Sequence, residues 1–286
     1  MRVLVVGAGL MGAQIGCEYA LGGHAVTLSA RDAGRVEERV ARALATVAEH
    51  GLATRDDVVS ARSRLEIETA YDPAGWDVVV ESLPEQLELK AELLGPVAAA
   101  SPAAIIASNT SSLSVRALGE LAGAPERTVG THYWNPPLLM PLVEVVPATA
   151  DGAVVERVVE ILVTLGKRAV LVERDVPGFI WNRLQFALLR ECVWLVENGV
   201  ATPETVDEVV RQGLARRWRH VGPFQAIVLG GVDTWNRAGA NLVPELSRAE
   251  QLPDLHRWTD DSGGLAEVAA ARDRALAREL VVERNA

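Results

Sequence analysis

Short apolar runs recur along the first 175 residues, and most are followed by a stretch with helical spacing. Arg2 to Val6 (RVLVV) is a β-branched run that stops at Gly7. An apolar helical pattern then runs from Leu10 to about Leu21, where Gly22 and Gly23 end it. His24 to Ser29 (HAVTLS) predicts a second strand. Ala33 to His50 carries apolar residues at Val36, Val40, Leu44 and Val47, the one-sided spacing of a surface helix. Leu65 to Thr69, Asp77 to Ser82, Ala104 to Ser108 and Thr128 to Tyr133 continue the strand series, with helices between most of them. Leu142 to Pro147 is a further strand-like run, followed by a helix near Val154 to Leu165 and a last strand from Arg168 to Arg174. Strands alternating with helices predict an α/β fold, a Rossmann-type doubly wound parallel sheet covered on both faces, over residues 1–175.

The strand pattern ceases at Asp175-Val176-Pro177-Gly178, which reads as a hinge. Phe179 to Glu197, Pro203 to Leu214, a stretch after Gly222-Pro223 and an amphipathic ending around Leu265 to Val282 all carry helical spacing. An all-helical second domain over residues 176–286 is therefore expected. Six of the seven tryptophans follow residue 130, which suits core or interface packing. An apolar, tryptophan-rich helical segment is hard to cover with its own chain, so a homodimer joined after residue 178 is expected.

At 286 residues and 49% hydrophobic, the chain can bury a sizeable core. A formal charge of -10 and a pI near 5.1 argue against nucleic acid and anionic membrane as partners, since phosphate binding needs clustered Lys and Arg. A small-molecule substrate remains. Cys17 and Cys192 lie far apart with no metal-ligand spacing, so no metal site is expected and a reduced, cytoplasmic setting fits. MRVLVVGAGLMGAQIG imitates a secretory signal, but its glycines suit a strand, turn and helix, and no run reaches the ~18 apolar residues of a membrane span. The whole chain reads as soluble and mature.

Gly7, Gly9 and Gly12 give GAGLMG the GxGxxG spacing, which is informative here because it closes a strand and opens a helix. The first glycine permits a tight turn, the second lets a pyrophosphate approach the backbone, and the third lets helix and strand pack closely. Leu10 and Met11, at the start of the helix, belong to the same expected dinucleotide site, where unpaired N-H groups favour phosphate. At the end of the second strand, where NAD-binding folds commonly carry an acid, stand Ser29-Ala30-Arg31-Asp32. With Ala30 in the acid's place, Arg31 would suit the 2′-phosphate of NADP. The alternative is that Asp32 reaches back, or that NAD binds without the contact.

Ser108 to Leu113 (SNTSSL) follows a predicted strand at the carboxyl edge of the sheet, where ligands of open α/β sheets bind. Asn109 is a candidate cofactor contact and Ser111 a candidate for the reacting group, although a helix-capping turn would also explain Asn109 and Ser112. His132 ends the next strand. Glu144 stands among Leu142, Val143, Val145 and Val146, and a carboxylate buried there without a partner would cost several kcal/mol. His132 is the nearest titratable candidate, because Pro136 and Pro137 impose an extended turn that can bring the two segments side by side. A carboxylate on one imidazole nitrogen sets the tautomer and leaves the other nitrogen to take a proton. Asn135, in the same turn, and Asn182, on the otherwise apolar DVPGFIWNRL helix, are candidate substrate contacts.

These motifs, GAGLMG, PEQLELK, SNTSSL, HYWNP with LVEVVP, and DVPGFIWNRL, stand in the order and near the spacing of the 3-hydroxyacyl-CoA dehydrogenase family, which the chain resembles over essentially its whole length. The resemblance implies that Ser111, His132, Glu144 and Asn182 form the catalytic set and that Glu85 and Lys90 contact the cofactor. It also implies reversible hydride transfer between a nicotinamide and the 3-hydroxyl carbon of a hydroxyacyl thioester, with dimerisation through the helical domain. Met140-Pro141, where thioester-using members carry a lysine after the methionine, and the charged final helix are similar instead to the L-gulonate and carnitine dehydrogenases, so a free hydroxy acid stands as the alternative substrate. A cofactor-binding relative without turnover is the alternative of another class, though such a protein would have no need of a paired His and Glu.

Overall fold

The computed structural model describes residues 1–258 and 265–284. They fall into two compact units, residues 1–180 with the helix of residues 265–284, and residues 181–258.

The first unit is built on one eight-stranded sheet in the order β3-β2-β1-β4-β5-β6-β7-β8. Its strands are β1 (Arg2–Val6), β2 (Ala25–Ser29), β3 (Leu65–Glu68), β4 (Val78–Glu81), β5 (Ile105–Ser108), β6 (Thr128–Tyr133), β7 (Leu142–Val146) and β8 (Arg168–Leu171). The helices α1 (Leu10–Leu21), α2 (Ala33–Glu49), α3 (Arg55–Ser63), α4 (Leu87–Ala100), α5 (Val115–Leu121) and α6 (Gly152–Thr164) cover it. Alternation along β1 explains why Val3 to Val6 are all apolar. Val3 and Val5 enter one core with α1, α2 and α6, while Leu4 and Val6 enter a second core with α4 and α5.

Two features depart from the expected alternation. α3 had no apolar periodicity to announce it, and begins instead with a reciprocal cap between Thr54 and Asp57. The sheet is also not wholly parallel, because β7 runs antiparallel to β6. The eight residues between Tyr133 and Leu142 are too few for a parallel crossover, which needs about a dozen or more, so the chain doubles back.

The second unit holds α7 (Trp181–Glu197), α8 (Pro203–Val209), a π-helical stretch (Val210–Ala215) that runs into α9 (Arg216–Trp218), then α10 (Pro223–Gly230) and α11 (Val232–Leu242). The final helix, α12 (Leu265–Arg284), belongs to the first unit: Ala277 and Leu280 pack on Leu139, and Arg284 donates to the Leu52 carbonyl at 3.1 Å. The unit that contains the sheet thus includes a helix from beyond residue 264. Residues 259–264 and 285–286 of the expected second domain lie outside the described residues. Among those described, no helix is long and apolar enough to cross a membrane, and no cluster of side chains could hold a metal ion.

Candidate active site

Gly7 adopts φ +95°, and a Cβ there would strike the backbone of Ser82 at the end of β4. At Gly12 a Cβ would strike the Gly7 carbonyl oxygen, so helix and turn approach as closely as the motif requires. Nothing lies within 4 Å of the position a Gly9 Cβ would take, and no side chain caps the α1 terminus that begins there. That open space, bordered by unpaired N-H groups, fits the pyrophosphate of a dinucleotide. Leu10 is exposed and Met11 half-buried at the start of the same helix.

Ala30 directly follows β2, its N-H bonded to the Glu68 carbonyl, and Arg31 beside it is exposed. Asp32 is engaged elsewhere. Its carboxylate caps α2, accepting from the Arg35 N-H at 3.1 Å, and pairs with the Arg35 side chain at 3.4 Å. A further cation reaches the glycine turn, where Arg39 donates to the Ala8 carbonyl at 3.4 Å.

At the carboxyl edge of β5, the Asn109 side-chain oxygen Oδ1 accepts the Tyr133 N-H at 2.8 Å and its Nδ2 donates to Ser82 Oγ at 3.3 Å. The amide thus ties the ends of β4, β5 and β6 together. Ser111 and Ser112 turn their N-H groups onto Glu85 Oε1, at 2.7 and 2.9 Å. Lys90 is buried, its ammonium 2.7 Å from Glu81 and 3.1 Å from Glu85.

The antiparallel register of β6 and β7 sets His132 directly opposite Glu144. His132 Nδ1 lies 2.7 Å from Glu144 Oε2, with both residues buried. The other carboxylate oxygen, Oε1, accepts the Ile180 N-H at 2.9 Å. Ile180 reaches it through a tight turn in which Gly178 and Phe179 both take positive φ, at 80° and 49°. A positive φ at phenylalanine is strained, and the surroundings that hold it are visible: Phe179 is 1% exposed, packs on Val115, Val146 and Val172, and sets its ring edge-on to His132 at 5.6 Å. Sequence reasoning missed Phe179 and the Ile180 N-H as site groups; the Pro-Gly-aromatic order at residues 177–179 was the available signal. Asn135 is exposed in the turn after β6, where its peptide to Pro136 is cis. Asn182 lies half-buried in the first turn of α7, in the second unit.

Residues 2–176 match the family described as 3-hydroxyacyl-CoA dehydrogenase, NAD binding domain, and residues 178–257 match its C-terminal domain. The L-carnitine dehydrogenase of Streptomyces griseus is 35% identical over 99% of this chain and 87% of its own length. A probable 3-hydroxybutyryl-CoA dehydrogenase of Bacillus subtilis is 34% identical over 82% of each chain. Among solved structures, 5-formyl-3-hydroxy-2-methylpyridine 4-carboxylic acid 5-dehydrogenase, described as an NAD+ dependent dismutase, superposes with a TM-score of 0.88 at 26% identity, covering 98% of this chain and 97% of that one. The buried histidine-carboxylate pair and the dinucleotide turn thus stand in a chain matched along nearly all its length, which belongs to the 3-hydroxyacyl-CoA dehydrogenase family and is an NAD-dependent dehydrogenase of CH-OH groups.

Proposed function

We propose that this dehydrogenase acts on the 3-hydroxyl carbon of a free hydroxy acid of the carnitine type, through His132 as general base. The observation that carries the reading is the 2.7 Å contact between His132 Nδ1 and Glu144 Oε2, both buried, with the second carboxylate oxygen held by the Ile180 N-H. With Nδ1-H donated to Glu144, Nε2 is the nitrogen that takes the substrate's hydroxyl proton during oxidation and returns it during reduction. The neighbouring carboxylate stabilises the imidazolium so formed. The Ser111 hydroxyl and, by its family position, the Asn182 amide donate to the reacting oxygen and stabilise charge that develops there, with Asn135 as a further substrate contact. The bound nicotinamide supplies the acceptor or donor of the hydride.

Two observations favour the free acid: Met140-Pro141 follow the HYWNP turn without a lysine, and the L-carnitine dehydrogenase match spans nearly the whole chain. A 3-hydroxyacyl thioester is the second reading, favoured by the probable 3-hydroxybutyryl-CoA dehydrogenase relative. For the cofactor, NAD is supported by the family match and by the NAD+ dependence stated for the superposed structure. Ala30 without a carboxylate, the exposed Arg31, and Asp32 occupied at the α2 cap support use of NADP as well. Residues 1–175 would hold the cofactor, and residues 176–286 would serve substrate binding and dimerisation.

A panel of L-carnitine, free 3-hydroxy acids and 3-hydroxybutyryl-CoA, each assayed with NAD and NADP, tests these readings. Turnover of a free acid is the expected result. A kcat/KM at least ~10-fold higher for the thioester, a difference of about 1.4 kcal/mol, would transfer the assignment to the second reading. Absence of turnover with every pair would overturn both.

A further inference from the structure

Behind the turn that carries Ser111 lies a cluster of charged and hydroxyl side chains that the proton transfer does not use. Glu81 ends β4, Lys90 projects from α4, and Ser108 and Thr110 flank the end of β5; all four are at most 1% exposed. The Lys90 ammonium lies 2.7 Å from Glu81 Oε1 and 3.1 Å from Glu85 Oε2, and donates to the Leu83 carbonyl at 3.1 Å. The ammonium thus makes two hydrogen bonds, to Glu81 and the Leu83 carbonyl, and an ion pair with Glu85. The second oxygen of Glu81 accepts the Ser108 hydroxyl at 2.5 Å, so this carboxylate is anchored from both sides.

Glu85 stands at the front of the cluster. Its Oε1 accepts the Thr110 hydroxyl at 2.6 Å, the Ser111 N-H at 2.7 Å and the Ser112 N-H at 2.9 Å, with the Ser111 and Ser112 hydroxyls at 3.3 and 3.1 Å. Successive backbone N-H groups that converge on one point make an anion-binding concavity, and in this chain the anion is a side chain of the protein itself. A turn of serines and threonine has many backbone conformations open to it, because its short side chains can bond their own backbone in several ways. Two N-H groups fixed on one carboxylate oxygen remove that freedom, and the direction of the Ser111 Cα-Cβ bond follows.

We propose that Glu85 is the positioning residue for Ser111, braced from behind by Lys90 and Glu81, and that this bracing acts on turnover through the turn. The inference rests on the reading of Ser111 as a donor to the reacting oxygen. Glu85 is ionised throughout any assay range. Burial pushes its pKa up, but the Thr110 hydroxyl, the Lys90 charge and the two N-H groups outweigh burial and hold it at about 2.

The test compares Glu85→Ala and Glu85→Gln with the wild type, each also in a Ser111→Ala background. Amide exchange of residues 108–113 is read first, because it needs no turnover: Glu85→Ala should raise exchange there by at least ~10-fold, and unchanged protection would overturn the proposal. With saturating cofactor and substrate, Glu85→Ala should lower kcat by at least ~10-fold and leave the pH limbs in place. Glu85→Gln keeps an acceptor oxygen for the two N-H groups and should recover part of the loss, and it carries the test if the alanine variant does not fold. In the Ser111→Ala background the same change should cost less than about 3-fold, since residues that act through one another are not additive. Equal losses in both backgrounds would overturn the proposal, as would weakened NADH binding with kcat intact. Loss of turnover in the wild type would instead defeat the dehydrogenase reading and leave the exchange result to decide the role of Glu85.

Discussion

His132 and Glu144 are each costly to bury alone, and together they form a unit whose chemistry depends on both members. His132→Gln removes the nitrogen that takes the proton and should lower kcat by at least ~100-fold, while NADH affinity measured by fluorescence titration stays near the wild-type value. Turnover close to the wild type would exclude His132 as the base. Ala30 is the second residue on which a single atom group decides behaviour, because an acid there would both accept ribose hydroxyls and repel a 2′-phosphate. Ala30→Asp should shift the ratio of kcat/KM for NADH over NADPH toward NADH by at least ~10-fold, or about 1.4 kcal/mol. An unchanged ratio would mean that selectivity resides elsewhere, with Arg39 at the glycine turn the next position to examine.

At the scale of elements, the turn after HYWNP is held from behind by a buried pair on the opposite side of the sheet from Lys90. Lys167, at the entry to β8, lies 3.0 Å from Glu18 on α1 and donates to the carbonyls of Pro137 and Met140 at 2.7 and 2.8 Å. One ammonium thus links α1, β8 and the turn that bears Asn135 and Met140. Burial pushes the pKa of Glu18 up, and the Lys167 charge pulls it partly back. Lys167→Met would leave that carboxylate and two carbonyls without their donor, at a cost of about 3–5 kcal/mol in chemical denaturation at pH 7. The sign of the pH dependence follows from the raised pKa. Protonation of Glu18 removes the unpaired charge, so the deficit should narrow as pH falls toward the ordinary carboxylate range. A deficit that is small, or that widens on acidification, would count against this account of the pair.

At the scale of the whole molecule, the second unit exposes large apolar side chains on successive helices: Phe186 on α7, Phe224, Val228 and Leu229 on α10, and Val232, Trp235 and Leu242 on α11. Phe224 is 84% and Leu229 76% exposed in the single chain, far more than isolated apolar residues need be. A second copy is the occupant that the homodimer expectation supplies. Sedimentation at micromolar concentration should report twice the mass of the 30.6 kDa chain, and Phe224→Asp with Leu229→Asp should shift the protein toward the monomer. A wild-type monomer would refute the dimer.

Local patterning determined much of this protein. The β-branched runs became strands within a residue or two at most ends, GAGLMG became a strand, turn and helix, and Glu144 among valines announced a buried charge in need of a partner. Those features are legible because period and residue chemistry act over a few neighbouring positions. Only the tertiary structure decided the antiparallel return of β7, which puts Glu144 opposite His132. It also decided that Glu85 accepts the N-H groups of the Ser111 turn while Lys90 pairs with Glu81 and Glu85, that Lys167 meets Glu18, and that the last helix packs beside Leu139. Each of these joins residues distant in sequence through strand order and direction. The hydrophobic pattern states that a side chain is buried, whereas its neighbour is set by how the strands and helices are assembled.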